Sequence, residues 1–184
     1  MRPFALLFIA ALLLGTLRAQ TGCPANVRAI PLHKLNQHQM VVNVSINGSG
    51  PYDFLLDTGT QMTVVDLSLA ADLRLTTTGN INVAGVSLEG PALYARLDRF
   101  QVGDHLTTKQ PVLVYDMKTV QGAGFALRGL LGEDFLSRFD VLIDKSHNVL
   151  CLDDTGAMLK GMNAGPPPQT SADGSARQQP GTTP

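Results

Sequence analysis

The chain has 184 residues, 16% of them charged, with a formal net charge of −1 and four scattered histidines. A balance so near neutrality, without a basic cluster, excludes the electrostatic footprint of a nucleic-acid binder or a membrane-surface protein. The length admits one compact domain with its own core and excludes a two-lobed enzyme.

The first residues read as an object separate from the domain. Arg2 precedes an unbroken apolar run from Phe4 to Leu14, followed by Gly15-Thr16-Leu17-Arg18-Ala19. The run is too short for the ~20 residues of a membrane-spanning helix. A positive start, apolar middle and small-residue exit predict a secretory signal peptide over residues 1–19, cleaved near Ala19, with a noncleaved anchor as the alternative. No stable membrane insertion is expected after cleavage, and the protein is expected to be exported, either periplasmic or secreted. Loss of Arg2 and Arg18 takes the net charge from −1 to −3.

Only two cysteines exist, Cys23 and Cys151, and both fall in the exported part. In an oxidising compartment they can close a loop tying the N-terminal arm to the last strand. Two unpaired thiols are the alternative. Lipidation at Cys23 is disfavoured, because Gln20-Thr21-Gly22 lacks the apolar residue expected three positions before a lipoprotein cysteine.

From Met40 to Ile46 the chain alternates around Asn43 and Ser45, and Asn47-Gly48-Ser49-Gly50-Pro51 supplies a turn before a strand at Phe54-Leu55-Leu56, predicting a hairpin. That strand runs straight into Asp57-Thr58-Gly59-Thr60. A carboxylate at the end of a buried run is costly unless its neighbours satisfy it. Gly59 can turn backbone N–H groups toward it, and Thr58 and Thr60 offer hydroxyls. The same residues also suit an ordinary strand-to-turn junction.

Beyond the loop, Thr63-Val64-Val65 predicts a short strand, and Asp66 to Leu73 a short helix with Asp66 as its N-cap. Strands are expected over Ile81 to Leu88, Ala92 to Val102 and Leu106 to Tyr115, separated by glycines and polar residues, which makes the domain all-β. Gln121-Gly122-Ala123-Gly124 lacks the later glycine and helix of a nucleotide loop and reads as a connector. Gly129-Leu130-Leu131-Gly132-Glu133-Asp134-Phe135-Leu136 is an apolar segment entering a short helix, with Gly132 able to pass close beside another loop. Glu133 and the helix start suit each other, since negative charge is favourable there.

The tripeptide recurs at Asp154-Thr155-Gly156, but Asp153 stands where the first copy has an apolar residue. It reads as the turn closing a strand at Asn148 to Leu152. Residues 164–184, with Pro166-Pro167-Pro168, predict a disordered tail. His33, His38, His105 and His147 have no metal-binding spacing, so neither a metal nor a cofactor is expected. No Gly-x-Ser-x-Gly elbow or catalytic cysteine signature occurs.

Leu55-Leu56-Asp57-Thr58-Gly59 followed by Leu130-Leu131-Gly132, with the flanking strands from Arg28 to Asp153, resembles the retropepsin-like aspartic proteases, single-domain relatives of pepsin, and most of all their secreted bacterial branch. The resemblance implies a closed β-barrel with one or two short helices over residues 20–163, acting as a homodimer on a peptide or protein substrate. It implies Asp57 as the catalytic residue, with Thr58, Gly59, Thr60, Leu130, Leu131 and Gly132 supporting the active-site loop. Thr58 would lock the loops of two protomers together. Thr60 departs from the alanine usual in viral members. A hairpin within Asn80 to Leu93 is implied as the flap over substrate. The alternative on the same fold is a non-catalytic module that binds peptide or an envelope component through its sheet edges.

Overall fold

The computed structural model describes residues 22–24, 27–84, 88–119 and 126–163. The signal-peptide segment 1–19, the tail 164–184, the connector Gln121 to Gly124 and residues 85–87 of the flap hairpin lie outside the described residues.

Among the described residues ten strands make one sheet: β1 (Ala29–Lys34), β2 (Met40–Ile46), β3 (Ser49–Leu56), β4 (Val64–Asp66), β5 (Thr77–Ala84), β6 (Glu89–Val102), β7 (His105–Tyr115), β8 (Gly129–Leu131), β9 (Asp140–Asp144) and β10 (Val149–Asp153). Following the pairings, β6, β7, β4, β8, β3 and β2 stand side by side, and β2 also pairs with β6. That last pairing closes them into a barrel, which removes the exposed edges an open sheet would leave. Outside the ring, β1 carries β10 and then β9.

Alternation along each strand sorts the apolar residues into two clusters. Met40, Val42, Val44 and Ile46 of β2 join Phe54, Phe100 and Phe135 in the larger one, where the rings of Phe54 and Phe100 meet edge to face with centroids 6.1 Å apart. Their strand neighbours Val41 and Leu55 point to the opposite face, into a second cluster with Val64, Leu113 and Leu130. A strand buried on both faces must be apolar at consecutive positions, which explains the unbroken Phe54-Leu55-Leu56 and Leu130-Leu131 runs.

The β2–β3 hairpin turns more tightly than its sequence suggests. Asn47 (φ 52°) and Gly48 (φ 83°) make the whole turn, and Ser49 to Pro51 belong to β3 rather than to the loop. Positive φ at both central positions gives the twist that matches paired strands. The expected strand Ile81 to Leu88 is displaced toward the N-terminus, because a register shift at Gly79 (φ 63°) lets Thr77 and Thr78 keep pairing with β6.

Two short helices fall where the sequence puts them. Helix α1 (Leu67–Asp72) is capped by Asp66, whose side chain accepts from Ser68 N–H at 3.0 Å. Helix α2 (Glu133–Leu136) follows Gly132. A third, α3 (Ala157–Asn163), grows out of the second Asp-Thr-Gly turn. Its cap is Asp153, which accepts from the Thr155 hydroxyl at 2.6 Å, Thr155 N–H at 2.8 Å and Met158 N–H at 2.6 Å. Met158 packs on the disulfide joining Cys23 and Cys151, so the two cysteines are paired as expected.

These bonds, the Thr155 hydroxyl foremost, hold the Asp153 carboxyl below the ordinary carboxylate range. Asp144 is likewise lowered, chiefly by the Ser146 hydroxyl and then by His147. A carboxyl with a lower pKa in the folded state binds fewer protons than in the unfolded chain, so its stabilisation is present above the unfolded pKa and lost as pH falls toward the folded one. We expect the denaturant midpoint to drop between pH 5 and pH 3. Asp153→Asn should flatten that drop, and an unchanged pH slope in this variant would show that the cap does not titrate with folding.

Candidate active site

Asp57 stands where β3 ends. Its own N–H donates to Leu131 O at 3.1 Å. One carboxylate oxygen accepts Gly59 N–H at 3.0 Å and the other accepts the Thr60 hydroxyl at 2.7 Å. The side chain is half-buried, so these two bonds restrain it while leaving part of it open to solvent. Thr60, the departure from the viral pattern, thus donates directly to the candidate carboxylate. Thr58, between them in sequence, is exposed.

Gly59 does not owe its place to a left-handed backbone. It is absent from the glycines of positive φ, whereas a Cβ on it would stand 3.3 Å from Asp57 Oδ1. A side chain there would need the carboxylate that its N–H serves to give way by a few tenths of an ångström.

The segment predicted to support the loop lies directly beneath it. β8 runs parallel to β3, with Leu55 opposite Leu130 and Leu56 opposite Leu131, and antiparallel to β4, with Val64 opposite Leu130. The strands entering and leaving the loop therefore flank the same three residues. Beyond them, Glu133 N–H donates to Thr60 O at 2.8 Å and Asp134 N–H to Gln61 O at 3.1 Å. Gly132 is required by close approach, since a Cβ would meet Met62 C at 2.7 Å, Thr60 O at 2.8 Å and Thr63 N at 2.9 Å. These are backbone atoms that cannot swing aside. Gly132→Ala should cost about 1–3 kcal/mol through overpacking, read as a lower denaturant midpoint at unchanged slope; a loss too small to measure would mean that the loop shifts freely.

Three residues that the sequence did not single out complete the loop's anchorage. Thr63 and Gln110 are fully buried, and both donate to the Asp134 side chain. An acidic residue in the first turn of a helix reads as a favourable dipole partner, which hid Asp134 behind Glu133.

A groove of about 470 Å³ opens beside Thr58, lined by Glu133, Leu136, Phe139, Val141 and Leu159 among others. Val141 and Leu159 are 37% and 52% exposed, so this face presents apolar area to solvent. The β5–β6 hairpin spans the segment expected to form a flap. It is tied to the body by Leu88, buried in the second cluster, and by the Tyr115 hydroxyl, which donates to Glu89 O at 2.8 Å. The second tripeptide makes no comparable site, for Asp154 is exposed in the turn before α3. Among the described residues no group of three or more His, Cys, Asp or Glu is placed to hold a metal ion, and no helix is long and apolar enough to cross a membrane.

A family model described as aspartyl protease matches residues 42–135. That span takes in the Asp57 loop, the Leu130-Leu131-Gly132 segment and just over half of the chain. This chain belongs to the aspartyl protease family. Similar solved structures include a retropepsin-like aspartic protease from Rickettsia conorii, 23% identical, covering 68% of this chain and 90% of that chain at a TM-score of 0.48. The retroviral protease-like domain of Ddi1 from Leishmania major is 18% identical over 62% of this chain and 87% of its own, at 0.43. The EIAV protease complexed with the inhibitor HBY-793 is 18% identical over 57% of this chain and 91% of its own, at 0.40. No curated protein matches the chain.

Proposed function

We propose that this protein is an exported aspartic endopeptidase that works as a homodimer and hydrolyses peptide bonds with water activated between two Asp57 carboxylates. The observation that carries the reading is Asp57 itself: one carboxylate, held by Gly59 N–H and the Thr60 hydroxyl, on a loop braced from below by β8.

Hydrolysis without a metal or covalent intermediate needs two carboxyl groups sharing one proton. One takes a proton from the attacking water while the other gives one to the carbonyl oxygen. Two like charges about 3 Å apart cannot both ionise cheaply, so the pair titrates as a coupled unit. With one such loop per chain, the second carboxyl group comes from a second copy, and a two-fold axis lets the same residue fill both roles. Thr58 would then face its counterpart near the axis. The exposed apolar face running from Thr58 to Val141 and Leu159 supports a partner on that side.

In this reading residues 1–19 are a cleaved leader, 20–163 the peptidase domain and 164–184 a disordered tail. The Cys23–Cys151 disulfide supports export, since such bonds persist in oxidising compartments.

The test is digestion of a diverse peptide mixture by the purified protein from pH 3 to 7, read by mass spectrometry, with sedimentation of the same samples. Cleavage by a dimer supports the reading. A folded dimer that cleaves nothing would favour a peptide-binding module on the same fold, and a chain that stays monomeric at high micromolar concentration would sink the two-fold dyad.

A further inference from the structure

We propose that Asp134 is a positioning residue for the Asp57 loop, acting through a partly buried chain of donors and acceptors that runs from buried Thr63 through half-buried Asp134 and buried Gln110 to Arg138 at the surface. The inference rests on the peptidase reading for its kinetic consequence, but its structural content stands apart from that reading.

Asp134 Oδ1 accepts both donors of Thr63, the N–H at 2.8 Å and the hydroxyl at 2.7 Å. The Thr63 hydroxyl oxygen in turn accepts Gly132 N–H at 3.3 Å. One residue therefore ties the exit of the loop at Thr63 to the segment that passes beneath it. Asp134 Oδ2 accepts Gln110 Nε2 at 2.7 Å, and Gln110 Oε1 accepts Arg138 Nη2 at 2.7 Å. Arg138 closes the circuit by donating Nε–H to Asp134 O at 3.1 Å.

The chemistry of the partners gives the chain a direction. A carboxylate only accepts and a guanidinium only donates, so the Gln110 amide between them has one allowed orientation. Gln110 is fully buried, which makes a reversed or unmet bond expensive. A loop held in this way has its backbone fixed at both ends, by Leu131 O at Asp57 and by Asp134 at Thr63. Residual freedom in such a loop translates into misplacement of the Asp57 carboxylate.

The direction of the chain also supplies its test. Asp134→Asn keeps the shape but brings an amide donor against Gln110 Nε2, and flipping Gln110 gives up its bond from Arg138, because an amide donor then faces the guanidinium. Adding Gln110→Glu to that variant restores an acceptor toward both the introduced amide and Arg138, with the carboxylate moved by one link. We expect Asp134→Asn to lower kcat about 100-fold, the effect of a misplacement near 1 Å, with KM within about twofold and faster hydrogen exchange at the Thr63 and Gly132 amides. The Asp134→Asn/Gln110→Glu double variant should return both readouts toward the parent. Thr63→Val, which deletes only the hydroxyl, serves if Asp134→Asn fails to fold, with a kcat loss of about tenfold.

Unchanged turnover or unchanged exchange in the single variants overturns the inference, as does a double variant no better than Asp134→Asn. Loss confined to KM or to global stability overturns it as well. If the parent cleaves nothing, the proposed function fails, and the exchange series on the full chain decides the inference alone.

Discussion

Asp57→Asn should abolish peptide cleavage, lowering turnover by about a thousandfold or more, while leaving the fold intact. The size follows from removing general acid and general base together, each a contribution of roughly 10²–10⁴. Fold retention follows from the local geometry. The carbonyl oxygen of the substituted amide can still accept Gly59 N–H or the Thr60 hydroxyl, the two bonds that now hold the carboxylate, and the backbone N–H bond to Leu131 O is untouched. A denaturant midpoint close to that of the parent would then show that the loss is chemical. The control is Asp154→Asn, which changes an exposed turn residue and should keep parental turnover. Undiminished cleavage by Asp57→Asn would refute the assigned role, and inactivity of a well-folded Asp154→Asn would mean that the second tripeptide matters.

Replacing Cys23 and Cys151 together by alanine should be the largest single loss of stability. Their bond spans 128 positions of sequence. A cross-link closing a loop of that length removes unfolded-state entropy worth about 4–5 kcal/mol in the chain-entropy estimate. Set against a typical total of about 5–15 kcal/mol, that is a large fraction. Local packing adds to it, because Cys23 and Cys151 form a small cluster with Met158 of α3. The measurement is chemical denaturation of parent and variant at one fixed protein concentration, since any dimer makes apparent stability concentration-dependent. A difference below about 1 kcal/mol would show that the N-terminal arm is held by other contacts and that the protein does not depend on an oxidising compartment for its fold.

The two loops of greatest interest were readable for different reasons. Leu55-Leu56-Asp57-Thr58-Gly59 announces itself locally, since an apolar run that ends on a carboxylate among turn formers is visible within a few consecutive residues. The importance of Leu130-Leu131-Gly132 came from resemblance, and its physical reason appears only in the pairing of β8 between β3 and β4. Asp134 illustrates the limit. In sequence it is one of two acidic residues opening a short helix, and nothing in its neighbourhood points to Thr63, 71 positions earlier, or to Gln110, 24 positions earlier. The third helix escaped for a related reason: Asp153 reads as the residue between a strand ending at Leu152 and a turn, and its capping role depends on the chain turning back at Thr155 and Gly156.

Taken by itself, the sequence determined the strand periods, the cap at Asp66, the two cysteines and the carboxylate at Asp57, because each is a matter of near neighbours along the chain. Only the tertiary structure decided that Gly132 is needed for space, that Leu131 takes the Asp57 N–H, and that the Asp134 side chain accepts from Thr63 at the loop exit. Those outcomes turn on atoms far apart in the chain brought within 3.1 Å of one another by a closed barrel, and closure is a property of strand pairing across the whole domain that no local pattern encodes.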